Sequence, residues 1–175
     1  MLIYTVLSRL LDYPEQELID NLVEVRKVVE ADTAIKGDEQ DAIFAVIDWM
    51  LSEDLIELQQ NYVQNFDNNA DNSLHLTHHL YGDDDRERGP ALINIVEHFK
   101  KAGLSPVKGE LPDYLPLILE YLAKLDEEKA GEFLGDAVKV LTVLAGNLEN
   151  NNSPYAPLVR IVESHGLPYA PKEEE

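Results

Sequence analysis

The sequence predicts an all-α protein, a single-domain bundle of about eight to ten helices. Three observations lead there. Apolar residues recur three and four positions apart almost throughout, which is the spacing of one helix face. No run of four to eight residues alternates between apolar and polar with hairpin turn residues at its ends. The periodic stretches are separated by segments rich in Pro, Gly, Asn and Asp, such as "DNNADN" (67–72) and "GDDDRERGP" (82–90).

Taken in order, Ile3, Val6, Leu7 and Leu10 mark a first helix that stops before Asp12-Tyr13-Pro14. Pro14 is placed to open a second helix running to about Glu30, since a first turn has no use for its missing N–H. Ile43, Phe44, Val46, Ile47 and Met50 mark a third. Ser52 is expected to cap a fourth that carries Leu55, Leu58, Tyr62 and Phe66, and Ser73 to cap a short helix holding His75, His78 and His79. Leu92, Ile95, Val96 and Phe99 form the next stripe, ended by Gly103. In "GELPDYLPLILEYL" (109–122), Pro112 shapes the approach, Pro116 falls in the first turn, and Asp113 is expected to accept free N–H groups at that helix start. Leu134, Ala137, Val138, Leu141, Ala145 and Leu148 mark a long helix. Ser153-Pro154 starts the last, with Leu158, Ile161 and Val162 inward and Gly166 and Pro168 at its end.

At 175 residues the chain suits one domain, assigned to residues 1–170, with 171–175 an acidic tail expected to be disordered. No window has the ~18–20 apolar residues that a membrane span needs. "MLIYTVLSRLL" lacks the basic start and small-residue cleavage site of a secretory signal, and the chain has no Cys. A cytoplasmic location is expected. The formal charge of -20, from 34 acids against 14 bases, repels phosphate backbones and anionic lipid and attracts a cationic partner. Nucleic acid and membrane insertion are therefore not expected.

Catalytic signatures are weak. His75 and His79 stand at i, i+4 and can address one ion from a helix face, but the Glu of a zincin His-Glu-x-x-His is missing. Asp83-Asp84-Asp85 lacks the spacing of an EF-hand loop, and no glycine-rich phosphate cradle or Gly-x-Ser-x-Gly elbow occurs. Arg86 and Arg88 beside Gly89 are expected to bridge their loop to a carboxylate on a neighbouring helix. Tyr114 and Tyr121 offer apolar faces with wet tips, which suits a groove.

Four segments, "LSRLLDYP" (7–14), "YVQNFD" (62–67), "SLHLTHHLYGDDDRERG" (73–89) and "ELPDYLPLILEYLAKL" (110–125), together resemble the TorD-like redox-enzyme maturation chaperones. Within that group the likeness is to the nitrate reductase molybdenum cofactor assembly chaperones, the NarJ family. It runs over roughly residues 3 to 165. The family's His-x-His-Gly reads His79-Leu80-Tyr81-Gly82 here. The resemblance implies a non-enzyme that binds the basic, partly apolar N-terminal segment of a molybdoenzyme catalytic subunit, a twin-arginine-like remnant. The expected client is the respiratory nitrate reductase alpha subunit or a related enzyme. The chaperone would hold it for cofactor insertion before membrane docking, with molybdenum cofactor biosynthesis proteins as further partners and no cofactor or metal of its own. The expected groove is walled by the Tyr62–Phe66 helix, the histidine segment and the helix after Pro112. Its candidate peptide contacts are Tyr62, Phe66, His79, Tyr81, Arg86, Arg88, Asp113, Tyr114, Glu120 and Tyr121. The alternative is a small helical metal-binding protein or metallohydrolase using His75, His78 and His79.

Overall fold

The computed structural model describes residues 1–81, 85–105 and 109–173. Asp83 and Asp84 of the acidic turn, and Glu174 and Glu175 of the tail, lie outside them. Among the described residues there are nine α-helices: α1 (Leu2–Leu11), α2 (Gln16–Ala31), α3 (Asp38–Ser52), α4 (Leu55–Tyr62), α5 (Leu76–Leu80), α6 (Arg88–Lys101), α7 (Leu115–Leu122), α8 (Glu127–Asn150) and α9 (Ala156–Gly166). The all-α fold class is as the periodicity predicts.

α8 is the spine. Its Leu134, Leu141, Ala145 and Leu148 are fully buried, and α9 packs along it with Leu158, Val159 and Val162. α1 lies on α7, burying Leu7, Leu10 and Leu11 against Leu115, Leu119 and Leu122. α3 bridges α2 and α9. A polar link fastens three of these helices: the Tyr4 hydroxyl reaches His165 Nδ1 at 3.2 Å, and His165 Nε2 pairs with Glu39. Burial, and then the nearby Glu127 and Glu39, push the Tyr4 pKa up to about 12, so this hydroxyl stays a donor.

Several helix starts differ from the sequence reading. Ser52 is the last residue of α3 and donates back to the Trp49 carbonyl (2.6 Å). Asp54 caps α4, accepting from the Glu57 N–H (2.9 Å), because a carboxylate two residues further on reaches the first turn. Pro14 and Pro154 lie just outside α2 and α9; Gln16 is the first helical residue of α2, and Pro157 takes the first-turn place in α9. Tyr62 leads into one π-helical turn, Val63–Asp67, whose wider winding keeps both Tyr62 and Phe66 in the core. Gly103, at φ +76, takes the left-handed conformation after α6.

At Gly166, α9 lies close against α8. A Cβ there would stand 2.6 Å from the Leu134 carbonyl oxygen and 2.9 Å from Val138 Cγ2. Gly166→Ala is expected to push the two helices apart and destabilise the fold by about 1–3 kcal/mol. A lowered urea midpoint at unchanged m-value would show it.

Candidate functional site

α6 explains why the molecule has a groove. Of its apolar stripe only Phe99 is buried; Leu92, Ile95 and Val96 remain half-buried. α8 is long enough to serve two neighbours. One face meets α9, while Lys129, Glu132, Phe133, Asp136, Ala137 and Val140 recur at helical spacing on another. Between that face and α5, α6 and α7 runs a groove of about 640 Å³. Residues 129 to 140 span about 16 Å of helix axis, at 1.5 Å per residue. The floor is apolar: Ile118 and Tyr121 of α7, Ile95 of α6, and Phe133 and Val140 of α8. Tyr121 meets Phe133 edge-on, ring centroids 5.6 Å apart, and His98 meets Phe133 edge-on at 6.1 Å. Glu132 and Asp136 stand exposed on the rim, with Lys129 at one end.

A second, smaller cleft of about 240 Å³ opens on the other side of residues 73–76. Its back wall is aromatic. Tyr62 and Phe66 pack at 4.8 Å, Tyr13 stands edge-on to Tyr62 at 5.6 Å, and the His75 ring stacks on Tyr114 at 5.3 Å. The Tyr114 hydroxyl donates to Asp12 Oδ1 (2.9 Å), and the single hydrogen of the Tyr62 hydroxyl is shared between the Tyr114 oxygen (2.6 Å) and the Leu11 carbonyl (3.0 Å). Burial pushes both phenols well above their usual pKa, and Asp12 adds to the shift, so both stay neutral. Asp67 and Glu110 are exposed at the mouth, and Glu110 Oε1 lies 3.4 Å from His75 Nε2.

The sill between the two clefts is pinned by backbone and by one buried carboxylate. The Leu76 N–H donates to the Asp113 carbonyl (3.1 Å) and the Leu115 N–H to the Leu74 carbonyl (2.9 Å), a short antiparallel bridge. Asp113 is fully buried. Its Oδ2 accepts from the Thr77 N–H (3.0 Å) and the Thr77 hydroxyl, and that hydroxyl in turn accepts from Arg88 Nε (3.0 Å). Asp113 therefore caps α5, across the sill, and not the helix that follows it in sequence, because the bridge swings the carboxylate beside α5's first turn. His75 is the residue before α5, and Ser73 accepts from the His75 N–H (3.2 Å). In place of the direct bridge expected from Arg86 and Arg88 to a helix carboxylate, the described residues show a relay: Arg88, the first residue of α6, donates to the Thr77 hydroxyl, which donates to Asp113, just ahead of α7.

The three walls read from the sequence do not share one cleft: the Tyr62–Phe66 segment lines the smaller one, the helix after Pro112 lines the larger groove, and the histidine segment borders both. The larger groove needs α6 and α8, which the sequence reading did not place at a site. Tyr81 and Tyr121 line the large groove; Tyr62, Phe66 and Tyr114 line the small one. Asp113 and Arg88 hold the sill. His79 donates from Nε2 to the Ser73 carbonyl (2.7 Å), which ties down the α5 turn. Arg86 and Glu120 are exposed and line neither cleft. As for the metal alternative, no group of three or more His, Asp or Glu side chains is poised around an ion among the described residues. The missed walls did leave a signal: α8 carries two apolar stripes where one neighbour requires one.

No helix among the described residues is long and apolar enough to cross a membrane. A family model described as nitrate reductase delta subunit matches residues 34–160. The chain is 32% identical over 158 residues to the nitrate reductase molybdenum cofactor assembly chaperone NarJ of Escherichia coli (strain K12), covering 90% of this chain and 66% of that protein. It is 29% identical over 161 residues to the probable nitrate reductase molybdenum cofactor assembly chaperone NarJ of Bacillus subtilis (strain 168), covering 91% of this chain and 85% of that one. The match thus spans just under two-thirds of the Escherichia coli relative.

Proposed function

The chain belongs to the nitrate reductase delta subunit family, and on that premise we propose that it is an assembly chaperone, not an enzyme, for a nitrate reductase catalytic subunit or a related molybdoenzyme. It binds the basic, partly apolar N-terminal segment of that client in the cytoplasm and holds it for molybdenum cofactor insertion before membrane docking. The observation that carries this reading is the apolar-floored groove with a carboxylate rim in a protein of charge -20.

The groove's shape suits one amphipathic helix, laid with its apolar side on Ile118, Tyr121, Phe133 and Val140. Burying ~400 Å² of apolar surface gains about 10 kcal/mol gross at ~25 cal/mol/Å². Ordering a flexible segment returns about 2–5 kcal/mol of that, and lost rigid-body freedom returns more. What remains is at most about 5–8 kcal/mol, which corresponds to micromolar affinity at its tight end. Exposed charge pairs contribute only about 1 kcal/mol each in water, so apolar contact holds the leader while the acidic surface speeds its arrival and rejects acidic competitors.

Isothermal titration of the cognate catalytic subunit's N-terminal peptide into the protein tests this. Saturable heat with a negative heat-capacity change is expected. Silence at tens of micromolar protein, at two temperatures, would remove the reading.

A further inference from the structure

We infer that Tyr169 is a positioning residue for leader binding: the segment after α9 straps the first turns of α8, and those turns hold the groove's wall in place only while the strap is seated. This rests on the leader-binding reading above and adds a control on that site from a residue that lines neither cleft.

The strap is visible in the glycines of α8. Gly131 and Gly135 stand inside a 24-residue helix, where glycine gives up backbone order and offers no side chain to pack. Both are nevertheless buried. What covers them is the 3-10 turn Leu167–Tyr169. A Cβ on Gly131 would intrude on the Tyr169 ring, 2.7 Å from Cζ, and one on Gly135 would stand 2.7 Å from the Tyr169 carbonyl carbon. The two positions form a notch cut for one ring and its backbone. Further along, Lys139 Nζ lies 3.9 Å from Glu173 Oε1, an exposed pair that continues the same line down α8.

Position links the strap to the groove. α9 runs back along α8, from Arg160 beside Glu149 to Gly166 against Leu134 and Val138. Beyond that point Tyr169 takes over, at Gly131. Lys129, Glu132 and Phe133 of the groove wall thus lie on the stretch of α8 that the strap backs. The strap positions 131, 135 and 139 are each followed at once by a groove residue, Glu132, Asp136 and Val140. Successive residues stand ~100° apart around a helix, so the strap sits beside the rim without entering the groove. With the strap lifted, two buried glycines meet water and the first turns of α8 lose their backing. Phe133, which meets Tyr121 and His98 edge-on, then loses its fixed place on the floor.

The strap is also built to lift. Leu167 is 51% exposed and Tyr169 39%, so little apolar area holds it. Segments of that kind open locally well before the whole fold does. A leader that needs the wall in place selects the seated form, so leader binding must in turn seat the strap.

The test titrates the cognate catalytic subunit's N-terminal peptide into the wild type, Tyr169→Ala and Tyr169→Phe, with urea unfolding of each. It also follows amide exchange of the wild type with and without the peptide. If losing the ring leaves about one molecule in ten with the wall in place, Tyr169→Ala binds about ten-fold more weakly under conditions where it is fully folded. Tyr169→Phe keeps the ring and binds within about two-fold of wild type. The Tyr169 and Ala170 amides exchange several-fold more slowly in the complex, by reciprocity. A merely structural role would lower the urea midpoint and move neither the affinity nor that exchange. The strap is overturned if Tyr169→Ala binds as the wild type does, if Tyr169→Phe loses as much as Tyr169→Ala, or if the peptide leaves those amides unchanged. The exchange measurement needs no variant, so it decides even where Tyr169→Ala fails to fold. Equal binding by all three proteins would leave the groove reading standing and remove the strap alone. Should the peptide fail to bind the wild type, both fall.

Discussion

Phe66→Ala is expected to destabilise the protein by about 3–5 kcal/mol, the usual cost of emptying a buried aromatic site. Phe66 is 5% exposed and sits in a cluster of rings: Tyr62 at 4.8 Å, Tyr155 at 5.0 Å, and Trp49 edge-on to Tyr155 at 5.5 Å. Tyr155 is fully buried behind it. Those rings belong to α3, the turn after α4, and the residue before α9, so the cavity would lie where separate elements meet and could not collapse by moving one helix. At ~2–4 °C per kcal/mol for a chain of this size, the melting temperature should fall by roughly 10 °C. Urea unfolding followed by circular dichroism would measure it. A loss below about 1 kcal/mol would show that Phe66 is a loosely held cleft residue and not part of the core. Any loss of leader binding in this variant has to be read against its unfolding.

Ala137→Trp is expected to do the opposite: little change in stability and at least ten-fold weaker leader binding. Ala137 is half-buried on the groove wall of α8, between Phe133 and Val140. An indole there projects into open volume, so it fills the groove without displacing the α8–α9 contact on the other face. If a bound helix needs that floor, the loss of even a third of ~400 Å² of apolar burial removes about 3 kcal/mol, more than a factor of one hundred; the ten-fold figure allows the leader to shift along the groove. Titration calorimetry with the cognate leader decides it. Full affinity with a tryptophan at 137 would place the leader elsewhere on the molecule.

Together these two variants separate roles that the sequence joined. Tyr62, Phe66 and Tyr121 all read as aromatic residues on helices near a histidine-rich turn. In the fold all three are buried in the core, but Tyr62 and Phe66 present an edge to the small cleft and Tyr121, packed on Phe133, to the floor of the large groove. Asp113 shows the same limit. Its neighbours Pro112 and Pro116 suggested a cap for its own helix, but its carboxylate caps α5, thirty-six residues earlier in the chain. A local pattern reports which groups need partners; it does not report which partners arrive from far along the chain.

The amino-acid sequence by itself determined the helical class, the approximate span of most helices and the acidic surface. It also pointed to the family, which the family model matching residues 34–160 shows. Those properties follow from interactions between residues three or four apart, or from simple sums over the chain. Only the tertiary structure decided where the groove and the smaller aromatic cleft lie, and which helices wall them. The reason is that a cleft is a shortfall in packing. α6 offers an apolar stripe and α8 a second one, and both stripes are periodic whether or not a neighbour covers them. Burial depends on the distances between helices, set by contacts such as Gly166 on Leu134 and the 74–76 to 113–115 bridge, and no periodicity encodes those distances.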